Sequence, residues 1–209
     1  MLEVALVAFT TFFATIGPPD VAVAFAALTP KNAATERRSI AVKATLVAAL
    51  ILLFFAFLGQ PLLDYLGISL AALRAAGGIL LLLIAIDMVF ARESGGLSTT
   101  AEEEAEAAQR DDISVFPLAT PLIAGPGAIG AAILLVANAQ GDAIRIAIVV
   151  GALVAVLIVG LALMLMAAQV QKLLGLTGVH VMTRILGILL AALAVQFLFD
   201  GIKQSGVFT

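Results

Sequence analysis

Two stretches of this chain combine residues that stop helices with groups that bind ions. The first is Gly17-Pro18-Pro19-Asp20, and the second is Pro117-Leu-Ala-Thr-Pro121-Leu-Ile-Ala-Gly125-Pro126-Gly127-Ala-Ile129. A proline within a helix carries no amide proton and frees the carbonyl four residues earlier. Pro18 and Pro19 are therefore expected to free the carbonyls of Ala14 and Thr15, and Pro126 that of Leu122. Gly17, Gly125 and Gly127 let the backbone turn through conformations that other residues avoid. Each stretch then reads as a half-helix ending in bare carbonyls, followed by another that begins with free amides. Carbonyl ends attract cations, and amide ends attract carboxylates or phosphates. A small zwitterion needs both. The neighbouring Ala14, Ala124 and Ala128 suit a small ligand, although small residues also serve close helix packing. The two breaks are expected to face one another and form a binding site.

Charged residues inside apolar segments have two readings each. Arg74 and Arg184 lie a few residues into their segments, where each side chain could reach back to its own membrane interface. A cation near a helix N-terminus opposes the dipole, so each could instead pair with a freed carbonyl or a substrate carboxylate. Asp20 begins the second half-helix, where a carboxylate caps free amides or couples to a proton or cation. Asp87 reads as an interfacial charge, Gln196 as a bond to a neighbouring helix, and Ser69 and Thr177 as N-caps. The one histidine, His180, sits at a segment edge, and there are no cysteines. Disulfides, thiolate catalysis and cysteine-held metals are thus excluded. No cofactor or metal is expected beyond a coupling Na+ or H+.

Such residues need a membrane framework. Of 209 residues, 63% are hydrophobic and 12% charged, more apolar surface than a soluble domain can hide. Long Leu, Ile, Val and Ala runs imply helices, which satisfy their backbone polar groups internally. Six segments approach the roughly 20 residues that a bilayer requires. They run from Leu2–Leu28, Ile40–Gly59, Ser69–Phe90, Ile113–Ala137, Ala143–Ala167 and Val179–Lys203. The acidic stretch 91–112, containing Glu102-Glu-Glu-Ala-Glu106, reads as a flexible linker. Met1-Leu2-Glu3 runs directly into a full-length segment without a basic region, so no cleaved signal peptide is expected.

Lys31, Arg37, Arg38, Lys43, Arg92, Arg110 and Lys172 fall on one side of this framework, against Arg145 and Lys203 on the other. Positive charges favour the cytoplasm, so the linker is expected there and both termini outside. The net charge of −3 gives no support for a nucleic-acid partner. The expected partners are the lipid bilayer, a small-molecule substrate and, optionally, further copies of the chain.

The halves 1–90 and 113–209 resemble one another. Gly17-Pro18 aligns with Gly125-Pro126, Leu66-Gly67-Ile68-Ser69 with Leu174-Gly175-Leu176-Thr177, and Arg74-Ala-Ala-Gly77 with Arg184-Ile-Leu-Gly187. Three segments per half would invert the second half in the membrane. The expected fold is therefore all-α, with six transmembrane helices in two inverted three-helix repeats and breaks in helices one and four. Discontinuous helices at corresponding positions are a secondary-transporter pattern.

With these residues in view, the chain resembles the MarC family across essentially its whole length. The Pro117–Ile129 run resembles that family's PLAxPxxxGPGAI signature, and Arg74-Ala-Ala-Gly77-Gly78-Ile79-Leu80, Arg184-Ile-Leu-Gly187, Ala194-Val195-Gln196 and Gly201-Ile202 also match. The family usually carries Asn-Pro-x-Gly in helix one, where this chain has Gly17-Pro18-Pro19-Asp20, and Val23 stands where a second proline is common. The resemblance implies a six-span inner-membrane protein, some of whose relatives move glycine or alanine with an ion gradient. The helix-one departure leaves substrate and ion open. A transporter of a small neutral amino acid is the leading expectation, with efflux of a small metabolite or toxic compound, or a passive channel, as alternatives. An intramembrane enzyme would need Asp20 and Asp87 together, which the topology sets apart.

Overall fold

The computed structural model describes residues 1–29, 32–90 and 113–206, with the side chains of 27, 168–180, 182, 183 and 186 left aside. The predicted linker 91–112 and the side chain of His180 lie outside that description. Among the described residues the chain is helical, with no strand. The helices are α1 (Leu2–Ile16), α2 (Pro18–Leu28), α3 (Ala34–Tyr65), α4 (Leu70–Phe90), α5 (Pro126–Asn138), α6 (Ala143–Leu165) and α7 (Ala167–Ser205). A proline-rich segment, Ser114–Ile123, precedes α5.

Among the described residues five helical stretches are long and apolar enough to cross a bilayer, counting Leu2–Ala26 as one. The number is six if the proline-rich segment and α5, bent by 57° against each other, together form one crossing.

Two helices outrun their expected bounds. α3 extends through Arg37 and Arg38 at one end and Gln60, Pro61 and Asp64 at the other. At about 1.5 Å per residue its 32 residues span about 48 Å, longer than a bilayer core of about 30 Å, so its ends stand in the polar region. α7 runs 39 residues from Ala167, so Thr177 lies within it and caps no helix there. The apolar run marked only its membrane-embedded part, and helical hydrogen bonding continues through the more polar 167–178. Ser69 does accept a bond from the Ala72 amide at 3.1 Å, as expected of an N-cap.

The core has two parts. The larger gathers Ala8, Phe12 and Ile16 of α1, Val21 and Phe25 of α2, Leu118 to Ala124, and Val149 to Met164 of α6 around the alanine stripe Ala41, Ala44, Ala48 of α3. The smaller joins Leu81, Ile84 and Met88 of α4 to Leu134 of α5 and Leu190, Ala194 and Phe197 of α7.

α4 and α7 make the most extensive helix pairing, and glycine sets their separation. A Cβ placed on Gly78 would lie 2.7 Å from the Ala194 carbonyl oxygen, and one on Gly201 would lie 2.7 Å from the Ala75 nitrogen. One on Gly187 would lie 2.8 Å from the Met88 Cβ. Rising numbers on α4 thus meet falling numbers on α7, and the two helices run antiparallel with backbones in contact. Since the obstructing atoms are backbone, a methyl group there must push the helices apart. Gly78→Ala and Gly201→Ala are each expected to destabilise the protein by about 1–3 kcal/mol, read as a lowered unfolding midpoint in detergent. Gly130, whose added Cβ meets nothing within 4 Å, is the control, and Gly130→Ala is expected to leave the midpoint unchanged or slightly raised.

Candidate functional site

The first break is built on Gly17. It holds φ 60° and ψ 57°, and its amide closes α1 on the Phe13 carbonyl at 3.0 Å. A side chain there would cost about 1–2 kcal/mol in backbone strain alone. Pro18 and Pro19 open α2, where their missing amides disturb no bond of that helix. The carbonyls of Ala14 and Thr15, at the end of α1, accordingly receive no amide from four residues on. Thr15 is only 2% exposed, and its hydroxyl donates to the Thr11 carbonyl at 2.8 Å, so that group is committed to its own helix. Asp20 occupies the first turn of α2, half-buried, with Oδ2 folded back to 3.2 Å from where a Gly17 Cβ would stand. A carboxylate there favours the positive end of the α2 dipole.

The second break differs in construction. Phe116 and Thr120 are extended, at φ −129°, ψ 127° and φ −132°, ψ 131°, and each precedes a cis proline, Pro117 and Pro121. Residues before proline favour this extended region. The segment is held by bonds that reach five residues back, Leu118 to Ile113 at 3.3 Å and Ala124 to Ala119 at 2.8 Å. No regular helix leads into Pro126, so the expected loss of a helical bond at the Leu122 carbonyl does not arise. Leu122 instead contributes a buried side chain, 2% exposed, to the larger core. Gly125 is extended at φ −79°, ψ 171°, a conformation open to any residue, which corrects the expectation of a special turn there. Gly127 lies within α5, where an added Cβ would stand 2.5 Å from Ile84 Cδ1, so the end of that side chain would have to turn aside. Pro126 is exposed and begins α5, where proline fits.

The structure brings the two breaks together. The Gly127 Cβ position lies 3.9 Å from Thr15 Cβ. Ile16 and Pro18 from the first break and Ile123 from the second line a common apolar cavity, closed by Thr45 of α3 and Leu157 and Gly160 of α6. Its volume is about 10 Å³, room for about one water molecule. That is too small for any amino acid. The contribution of α6 was not apparent from the sequence, because its glycine and leucines read only as a uniform apolar helix.

The arginines are elsewhere. Arg74 is 8% exposed and donates from Nη2 to Oδ1 of Asn138, at the far end of α5. Ile84 packs at the level of Gly127, and Arg74 lies ten residues before it, about 15 Å along α4. The acceptor for Arg74 among the described residues is the Asn138 amide and not a freed carbonyl of the break. Arg184 is exposed on α7. Neither arginine lines the cavity where the breaks meet: Arg74 stands near the start of α4, and Arg184, near the middle of α7, faces outward. Asn138 was missed by one residue, since the apolar segment was read as ending at Ala137. An amide closing an otherwise apolar run was the available signal. Gln196 also departs from expectation, donating to Asp200 of its own helix at 3.0 Å and to no neighbour. Asp142 is occupied as the N-cap of α6, accepting from Ile144 at 2.9 Å and Arg145 at 3.2 Å. Among the described residues no cluster of three or more His, Cys, Asp or Glu side chains is placed to hold a metal.

Comparison with known proteins adds the lineage. The sequence matches the family described as MarC family integral membrane protein over residues 2–205. It is 39% identical to a UPF0056 membrane protein of Archaeoglobus fulgidus, over 94% of this chain and 91% of that one. A UPF0056 membrane protein of Methanocaldococcus jannaschii is 37% identical over 97% of both chains. The UPF0056 membrane protein YhcE of Escherichia coli is 36% identical, over 96% of this chain and 91% of its own length. No solved structure matches the chain. A multi-pass helical chain matched from residue 2 to residue 205, with relatives aligned nearly end to end, belongs to the MarC family of integral membrane proteins.

Proposed function

We propose that the protein is a secondary transporter of a small neutral amino acid of the glycine and alanine class, or a similar small zwitterion, across the inner membrane. The observation that carries this reading is the meeting of two interrupted helices at a small apolar cavity walled by α3 and α6. Irregular backbone at membrane depth is tolerated where protein covers it or water lines it, and such places are where transporters bind substrate. The bare carbonyls of Ala14 and Thr15 with Asp20 would receive an ammonium group or a coupling Na+ or H+. The first amides of α5, beginning at Gly127, would receive a carboxylate.

In this reading the halves 1–90 and 113–209 are inverted repeats joined by the linker 91–112 on the cytoplasmic side, with both termini outside. The antiparallel contact of α4 with α7 through Gly78, Gly187 and Gly201 is what such a pseudo-two-fold relation would produce. The cavity about the size of a water molecule corresponds to a closed conformation, and access from either side requires one three-helix half to tilt against the other. The direction of net flux follows the coupling gradient.

Purified protein in liposomes is expected to accumulate labelled glycine or alanine when a sodium or proton gradient is imposed, and to stop when the gradient is dissipated. Equilibration without accumulation would support a channel instead, and absence of flux across a panel of amino acids would remove the proposal. Gly160 provides a second test, because its added Cβ would stand at an ordinary 3.8 Å from Pro18 Cβ at the cavity wall. Gly160→Ala is expected to keep uptake within about twofold, whereas Gly160→Leu fills the cavity and lowers uptake by about tenfold or more, with normal elution on size exclusion.

A further inference from the structure

Arg74 is more than nine-tenths buried, and its one acceptor among the described residues is the neutral side chain of Asn138. Its Nε is buried without a hydrogen-bond partner, and no carboxylate of the described residues pairs with it. A buried guanidinium left this way is unfavourable, since its charge has been taken out of water and only part of its donor set is used. The position adds to the imbalance. Arg74 stands in the second turn of α4, whose N-terminal amides already make that end positive.

The unused group defines the missing partner. Nε and Nη2 lie on one edge of the guanidinium and present parallel protons, the fork that matches the two oxygens of a carboxylate. Asn138 offers one oxygen and takes Nη2 alone. Access is from the turn after α5, where Asn138 is half-buried and Gln140 and Gly141 are exposed. Arg74 faces α5 through the same side as Gly77, whose added Cβ would meet Leu134 of α5 at 2.6 Å, so the fork points into the bundle and away from lipid.

The geometry points to a carboxylate-binding station at Arg74 and Asn138, separate from the junction of the breaks and about 15 Å along α4 from it. An incoming carboxylate bonds to Nε with one oxygen and displaces the Asn138 amide oxygen from Nη2 with the other. That the carboxylate belongs to the transported molecule, held on its way to or from the breaks, rests on the transporter reading above; the station itself does not. It would act as a first or last stop on the face that carries the 66–69 and 139–142 turns.

The test uses full-length protein in detergent, with sodium acetate substituted for sodium chloride at fixed ionic strength and the thermal unfolding midpoint as readout. Acetate is expected to raise the wild-type midpoint saturably. Arg74→Gln is expected to raise the half-saturating acetate concentration by about tenfold or more, the range of a lost charge-assisted hydrogen bond. Arg145→Gln, which removes an exposed charge paired with Asp142 at the same end of the bundle, is expected to respond like wild type. Asn138→Asp supplies both oxygens from within the chain, so its midpoint should start higher and no longer respond to acetate. A wild-type midpoint indifferent to acetate, or a full response in Asn138→Asp, overturns the station, and the second variant decides the matter if Arg74→Gln does not fold. Uptake lost with acetate binding intact would count against the transporter reading alone, and uptake intact without acetate binding against the station alone.

Discussion

Everything in this structure depends on where an apolar chain in lipid can leave backbone groups without helical partners. Lipid offers no hydrogen bonds, so an interrupted helix must be surrounded by protein at the interruption. The two interruptions here meet that condition by covering one another. Ile16 and Pro18 sit against Ile123, and α3 and α6 close the remaining sides with Thr45, Leu157 and Gly160. The alanine stripe of α3 follows from the same need, because only small side chains let a straight helix come close to an irregular segment.

The breaks are alike in residue type and unlike in mechanism. Gly17 turns the chain by its left-handed conformation within one residue, and the two half-helices remain nearly continuous. The second break uses ten residues with two cis prolines and a bend of 57°. A single left-handed glycine sets the first break, whereas the second follows a path in which bonds to the fifth residue back alternate with extended residues before proline.

Much of this was legible in the sequence, for physical reasons that also mark the boundary. Hydropathy located the apolar runs because lipid demands them, and Gly17-Pro18 marked where α1 ends and α2 begins. The internal path of Ser114–Ile123 was not legible, since proline spacing does not fix how an extended backbone folds back. Helix ends were underestimated at α3 and α7, where polar residues such as Glu36, Arg37 and Asp64 remain helical outside the apolar window. The pairing of Arg74 with Asn138 depends on tertiary register between α4 and α5, which local pattern does not contain. Gly78 and Gly201 could be read as small residues suited to helix contact, but their role as bare contact points appears only when the opposing carbonyls and amides are placed.

That seam between α4 and α7 carries a mechanical consequence. Two ordinary helices can slip past one another by exchanging side-chain rotamers, because flexible atoms lie between their backbones. Here Gly78 of α4 and Gly201 of α7 put main chain directly on main chain, and Gly187, about 21 Å from Gly201 along α7, sits against the Met88 Cβ and the Ala85 carbonyl. A shift that brought Ile79 to the place of Gly78 would set a side chain against the Ala194 carbonyl. Movement along the seam is opposed by main-chain contacts that no rotamer change can relieve. The seam thus behaves as one welded unit, whose two helices keep their register while softer contacts elsewhere in the bundle can adjust.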